Sequence, residues 1–370
     1  MRFSFSAMIM LAYVIPNIYL FLRIWKLFIA REYKVAYIFA YIGVVSIYPL
    51  SGIIENSAIS NCFEAISLYL LPFFLYLFLF TLAFDIFLCF NIFLKLLPKN
   101  RIENPQFMKY GLLILIFASA FVVIAGVINY NTIRMSEYFI EVHARQSTAN
   151  NLKIAFVADF HIDTNTPEDF IKKFVTKTNS VTPDIVLFAG DIVEGRNINE
   201  LENTTNILKQ ISATYGVFGV IGNHEYYRGQ ENGGFFVNAG IELLRDTVIV
   251  VADKFSLAGR LDSHFENRKT VGELLQTAVD TLPLIMLDHR PTELFEVAKT
   301  KTDIQVSGHT HNGQLFPINL ILRRMYVLSY GYKKIENTNF FVTSGIRLWR
   351  YPVRTTGKSE IIVVNVKFVK

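Results

Sequence analysis

Hydrophobic positions fall into two regimes along the chain. Through the first third they run almost without interruption: apolar stretches at about 3–22, 35–54, 66–94 and 110–130 are separated by short polar loops. Each of the four is long enough to cross a hydrocarbon core of ~30 Å as a helix. The third is longer than one span needs and too short for two, so one long or tilted helix is expected, despite Pro72 and Asp85 within it. Asn91 and Lys95 follow Asp85 closely, which places it near the membrane interface.

From residue 134 the pattern changes. Short apolar runs alternate with polar turns, as in a globular domain. Met135–Val142 alternates as a strand does, and a polar turn, Gln146–Asn151, follows. Leu152–Ala158, Asp184–Ala189, Val217–Ile221, Leu284–Leu287 and Asp303–Val306 read as buried strands, with helices over 167–179, 198–212 and 292–299. The expected architecture is an α-helical transmembrane bundle over 1–133 followed by an α/β domain over 134–370. In such a domain the polar groups at the C-terminal ends of the strands gather into one crevice.

Composition supports the division. The chain of 370 residues is 52% hydrophobic, too much for an ordinary soluble enzyme, and the excess is concentrated in the first third. The net charge of +5 is not a nucleic-acid signal, because the α/β part is close to neutral and the basic excess lies in the loops between apolar runs. The first loop carries Arg23, Lys26, Arg31 and Lys34, and the third carries Lys95, Lys99, Arg101 and Lys109. The second carries Glu55 and Glu64 and no basic residue. Basic loops stay cytoplasmic, so a multi-pass protein of the cytoplasmic (inner) membrane is expected, with the α/β domain on the extracytoplasmic side. No small-residue cleavage site follows Leu22, so the first run is read as a span rather than a signal peptide. The two cysteines, Cys62 and Cys89, lie in the membrane part, which excludes thiol catalysis and a disulfide framework in the α/β domain.

The candidate chemistry sits where the strands end. Asp159-Phe160-His161, Gly190-Asp191, Gly222-Asn223-His224-Glu225, His289 and Gly308-His309-Thr310-His311 each follow an apolar run, and they contain five of the seven histidines. Asp159 and His161 are two apart, as are His309 and His311, so on extended backbone each pair points to one side. Asp191 can bridge two cations with its two carboxylate oxygens, and Asn223 offers a neutral amide oxygen. Any one of these patterns occurs by chance in many chains. The ordered set, each member after a strand, supplies the oxygen and imidazole ligands of a dinuclear site. His143 and His264 fall outside it and are read as ordinary residues, and Arg260-Leu261-Asp262 is given no role.

This ordered set resembles the calcineurin-like metallophosphoesterase superfamily, over about residues 134–370. Gly222-Asn223-His224-Glu225-Tyr226-Tyr227 and Ser307-Gly308-His309-Thr310-His311-Asn312-Gly313-Gln314 look like its membrane-anchored bacterial, YkuE-like branch. That branch usually has glycine where Asn312 stands here, and asparagine tolerates the left-handed backbone such a turn needs. The resemblance implies layered β-sheets flanked by helices and two divalent metal ions (Mn, Fe or Zn). Asp159, His161, Asp191 and His311 would hold one metal, and Asp191, Asn223, His289 and His309 the other. It implies hydrolysis of a phosphate ester by metal-activated water. His224 would contact the phosphate and protonate the leaving oxygen. Glu194, three residues after Asp191 and one methylene longer than the usual aspartate, would orient His224, or else be a solvated turn residue. The basic, aromatic stretch Gly345–Arg354 looks like the family's late loop, with Arg354 as a candidate phosphate ligand or part of a plain surface turn.

The expected function is therefore a membrane-bound dinuclear phosphoesterase acting on a phosphomonoester or phosphodiester, a lipid-linked one included. The alternative from another class is an inactive receptor or scaffold on the same fold. It is disfavoured because no ligand and no catalytic histidine is missing. A transporter with an accessory domain is disfavoured because Asp85 is nearly the only polarity in the spans. No nucleic-acid partner is expected, and the sequence leaves the oligomeric state open.

Overall fold

A computed structural model of the protein describes residues 5–51, 58–143, 150–194, 198–229 and 233–369. Glu55 and most of the turn expected at Gln146–Asn151 lie outside them. The chain divides into two compact units. One comprises Met1–Val127 with Arg350–Val353, and the other Ile128–Trp349 with Arg354–Lys370.

The first unit contains the long helices Phe5–Phe28, Lys34–Ser51, Ala58–Leu94 and Pro105–Asn131. Among the described residues, the stretches Arg31–Ser51, Ala58–Leu94 and Pro105–Asn131 are long and apolar enough to cross a membrane. The expected first span falls on Phe5–Phe28, which is not one of those three. The expected third span is a single helix of 37 residues that runs through Pro72. Leu20, Phe74, Leu77 and Leu112 form the buried core between helices. Asp85 is paired: Arg23 lies 2.5 Å away and the Tyr19 hydroxyl donates to the same carboxylate. A charge among apolar helices requires such a partner.

The second unit is built on two six-stranded sheets. The strands are β1 (Ile133–His143), β2 (Asn151–Val157), β3 (Ile185–Ala189), β4 (Val217–Val220), β5 (Glu242–Leu243), β6 (Thr247–Val251), β7 (Phe255–Gly259), β8 (Leu284–Leu287), β9 (Ile304–Ser307), β10 (Gly331–Ile335), β11 (Thr338–Val342) and β12 (Ser359–Val369). One sheet has the order β1-β12-β2-β3-β4-β5, and the other β10-β11-β9-β8-β7-β6. In the first, β2 to β5 are parallel and β12 is antiparallel to β2. In the second, β7, β8, β9 and β11 are parallel.

The period of two in β2 sets the layering. Ile154 and Phe156 face a core shared with Leu257, Ile285, Leu287, Val306 and Phe341 of the other sheet. Ala155 and Val157 face the opposite way, onto Phe170, Ile171 and Phe174 of the helix Glu168–Ser180. Glu168 and Asp169 open that helix, where its dipole favours negative charge. On the far side of the second sheet, Ala258, Met286 and Phe340 pack on Leu274, Leu275, Leu294 and Val297. The result is two sheets face to face with helices outside, so the ends of β2, β3, β4, β8 and β9 open onto common ground.

Candidate metal centre

Five loops meet at those strand ends, and the backbone ties them together. The Asp159 N–H donates to the Gly190 carbonyl (2.9 Å), that of His161 to Asp191 (3.0 Å), and that of Gly308 to His289 (2.9 Å). Ile346 and Arg347 donate to the carbonyls of Ala158 and Asp159, both at 3.1 Å, which brings the late loop against the first motif. Asp159, His161, Asp191, His309 and His311 all adopt positive φ, between 48° and 72°. Left-handed backbone is uncommon outside glycine and gathers at functional sites. Asn312 has φ 48°, so the turn takes the left-handed form that the asparagine was expected to permit.

Two glycines make the approach possible. At Gly190 (φ 88°) a Cβ would stand 2.6 Å from His289 Nδ1. At Gly222 a Cβ would run into the Asp191 carboxylate. Both positions keep the strand tips close enough for side chains of different segments to meet.

Among the described residues, two adjoining groups bring their ligand atoms within 4.8 Å of one another, Asp159, His161 and His311, and Asp191, His289 and His309, and a third, His161, Glu194 and His224, overlaps the first. Asp159 is fully buried, and both its oxygens accept from the His309 N–H (3.1 and 2.9 Å). Asp191 Oδ1 accepts from the His224 N–H at 2.8 Å. His289 Nδ1 donates to the Ala189 carbonyl at 2.8 Å, and its Nε2 lies 3.0 Å from Asp191 Oδ2. His161 Nδ1 lies 2.8 Å from Glu194 Oε1, and its Nε2 is 3.2 Å from His311 Nε2.

In the two adjoining groups, atoms able to bind a cation converge from separate loops. Among the described residues, the buried atoms Asn223 Oδ1, His289 Nε2 and His311 Nδ1 make no well-formed hydrogen bond. A buried acceptor without a donor is costly, and a proton or a cation must relieve it. The donor set of carboxylate, imidazole and amide oxygen suits Mn, Fe and Zn alike. These residues fit divalent metal.

The titration of the groups reflects the same crowding. Burial, reinforced by the Asp191 charge, raises the Asp159 carboxyl to about 6. Burial also acts to raise Asp191, but His289 and the other imidazoles outweigh it and hold that carboxyl far below its ordinary range. His289 reaches about 10 against the effect of burial, because Asp191 and Asp159 face it. Burial brings His309 down to about 3, helped by His289, and brings His311 well below its usual value.

His224 lies beside these groups, with Nδ1 against Glu194 Oε1 in an ion pair. Burial acts to lower its pKa, but the Glu194 hydrogen bond and the Asp191 charge more than offset this and raise it. Glu194 in turn is held low by both histidines, despite burial. Glu194 is thus not a solvated turn residue: it contacts His161 and His224 with one oxygen and accepts from Arg228 Nε (3.0 Å) with the other. Trp349, 46% exposed, packs its ring edge-on to His224 at 5.5 Å. Glu194→Gln is expected to keep the fold but weaken both the positioning of His224 and the affinity of the centre for metal. Loss of such an outer-shell partner costs about 10–100-fold. Titrating metal content and activity of the variant side by side would check it, and unchanged values of both would refute the role.

One expected role is corrected. Arg354 is fully buried, and its guanidinium donates to the carbonyls of Ser344 (2.6 Å), Gly345 (3.0 Å) and Arg347 (2.6 Å). Its fork is committed to shaping the late loop, so it is not a phosphate ligand.

Two features were not read from the sequence. Glu225 is completely buried and accepts the N–H groups of Asp191 (3.0 Å), Ile192 (2.6 Å), Val193 (3.0 Å) and Gly222 (2.8 Å). It locks the β3 and β4 loops together, and its place three residues after Gly222 is the spacing of a capping box. His264 is the other. It joins Tyr227 (2.6 Å), Asp262 (2.7 Å) and Arg290 (2.9 Å) in a polar chain, and the Tyr227 ring lies 6.0 Å from that of His224. His143, at the end of β1, stays exposed and apart.

Residues 152–313 match the family model of the calcineurin-like phosphoesterases. An uncharacterized metallophosphoesterase of Campylobacter jejuni is 28% identical over 98% of both chains. A transmembrane protein with metallophosphoesterase domain from Danio rerio is 26% identical over 76% of this chain and 69% of its own length. The uncharacterized metallophosphoesterase YkuE of Bacillus subtilis is 27% identical over 59% of this chain and 80% of its own.

Proposed function

We propose that this chain, which carries a calcineurin-like phosphoesterase domain at residues 152–313 joined to apolar membrane helices, hydrolyses a phosphate ester at two divalent cations. The observation that carries the reading is the convergence of ligand atoms from separate loops in one buried centre: His161 Nε2 and His311 Nε2 lie 3.2 Å apart, and His289 Nε2 and Asp191 Oδ2 3.0 Å apart. Asp159, His161 and His311 would hold one cation, and Asn223, His289 and His309 the other, with Asp191 shared. Bound there, the cations would lower the pKa of water and neutralise phosphate oxygens.

The chain's own residues do the rest. Glu194 keeps His224 protonated and aimed, because its carboxylate occupies Nδ1 and stabilises the imidazolium. As the oxygen of water bonds to phosphorus and the ester P–O bond breaks, the Nε2 proton of His224 passes to the leaving oxygen. Trp349 covers one side of the imidazole and limits exchange of that proton with bulk water. The membrane tether, in the arrangement with the domain on the extracytoplasmic side of the inner membrane, favours an ester carried on a lipid. The basic first and third loops support that orientation.

The test uses the full chain in detergent, stripped with chelator and resupplied with Mn²⁺, against an aryl phosphomonoester and the matching diester. Hydrolysis that returns with metal supports the reading and sorts the ester class. Absence of both hydrolysis and bound metal would overturn it in favour of a receptor or scaffold.

A further inference from the structure

The segment that follows the last metal motif has no use in the chemistry above, and it is oddly apolar for a surface. The helix Ile318–Met325 has only Asn319 buried. Its residues Ile318, Ile321, Leu322 and Met325 follow the i, i+3, i+4, i+7 spacing of a single helical face. That face turns outward: Ile318 is 41% exposed, Ile321 58% and Met325 69%. Phe316 precedes the helix and Val327 follows it, and both are exposed as well. Contiguous exposed apolar surface marks a contact site.

The charge around this face points to the occupant. By helical spacing Arg323 stands opposite this face and Arg324 at its edge, one turn after Ile321, and Lys333 and Lys334 are exposed on β10. No acidic residue occurs between Asp303 and Glu336. An apolar face bordered and backed by arginines is the pattern of a helix lying in the headgroup region of an anionic bilayer. Such a surface is close at hand for this unit. β1 begins at Ile133, two residues after the apolar helix Pro105–Asn131 ends, so the tether gives any lipid contact a high effective concentration. The root of the helix is fixed: the Phe316 N–H donates to Thr355 Oγ1 (2.9 Å), and the Thr355 N–H to the Gln314 carbonyl (3.0 Å). Gln314 lies three residues beyond His311, so the anchored helix starts at the edge of the metal centre.

We infer that the helix Ile318–Met325 is a membrane-surface anchor of the catalytic unit, its Ile318/Ile321/Met325 face set among acyl chains and Arg323 and Arg324 among anionic headgroups. This contact is independent of the hydrolytic activity and stands or falls on its own measurement.

The test is spin-label depth measurement on the full chain, with Cys62→Ser and Cys89→Ser as background. Single labels are placed through Ile318→Cys, Ile321→Cys, Met325→Cys and Arg323→Cys, in nanodiscs of phosphatidylcholine with or without phosphatidylglycerol. Variants whose thermal midpoint matches the background are used. Collision with oxygen is expected to dominate over collision with a water-soluble nickel complex at 318, 321 and 325, and the reverse at 323. Adding Arg323→Glu and Arg324→Glu to the Met325→Cys protein should shift position 325 toward water, most in the anionic discs. Nickel-dominated collision at all four positions would overturn the inference by placing the helix in solvent. Low collision with both reagents at 318, 321 and 325 would overturn it too, by showing that protein, such as a second copy of the chain, covers the face.

Discussion

His224→Ala should lower kcat on an alkyl phosphate ester by about 10²–10⁴-fold, the range that a positioned general acid supplies, while leaving the metal content intact. The side chain holds none of the proposed cations. It pairs with Glu194 at Nδ1, packs on the rings of Trp349 and His161, and brings Nε2 to 4.0 Å from Asp191 Oδ2, while its backbone N–H, which alanine keeps, donates to Asp191 Oδ1. The loss should depend on the leaving group. An aryl oxide leaves without help from a proton and an alkoxide does not, so the variant should lose far less on an aryl ester than on an alkyl one. Parallel kcat measurements on such a pair, with metal analysis of the same samples, decide it. An equal loss on both esters would remove His224 from proton transfer and leave it a binding residue. A fall in bound metal would move it into the ligand set.

How much of this was legible in the sequence depended on the distance over which each feature is encoded. The ligand motifs were readable because each sits within three or four residues of the strand that carries it. Asp159, Asp191, Asn223, His289 and His309 all stand two or three residues beyond a strand end. The helix Glu168–Ser180 was readable from its own apolar face. The placing of β12 was not. It pairs parallel to β1 and antiparallel to β2, across more than two hundred residues of chain, and no local pattern encodes that insertion. The Arg354 reading failed for a related reason. A basic, aromatic stretch looks alike whether its arginine faces a phosphate or three carbonyls of its own loop, and only the fold of Ser344–Arg347 decides. Glu225 was in plain view within a motif, yet its four N–H partners come from two different strand loops.

Asp191→Asn should be the most damaging change to the centre itself, and it should act through metal rather than through the fold. The carboxylate is buried, with Oδ2 3.0 Å from His289 Nε2 and Oδ1 accepting the His224 N–H. An asparagine keeps an oxygen for that N–H and can turn its amide N–H₂ toward the His289 lone pair. The metal-free variant should keep the fold but be somewhat less stable than the metal-free parent, because the buried ion pair of Asp191 with His289, whose pKa is raised to about 10, becomes a neutral hydrogen bond. What it loses is the negative charge that both ligand groups share. Two cations a few ångströms apart repel one another, and a neutral amide cannot offset that. Thermal unfolding with and without Mn²⁺ separates the two effects. At metal about 100-fold above Kd, the parent should gain about 2.7 kcal/mol per bound site, and the variant should lose much of that gain. Metal analysis should show fewer than two ions per chain, with kcat down by at least about 10–100-fold, since a ligand matters no less than its outer-shell partners. A variant that still binds two ions and turns over normally would show that Asp191 is not the shared ligand. A variant that unfolds without metal while the parent does not would show that the carboxylate serves the fold first.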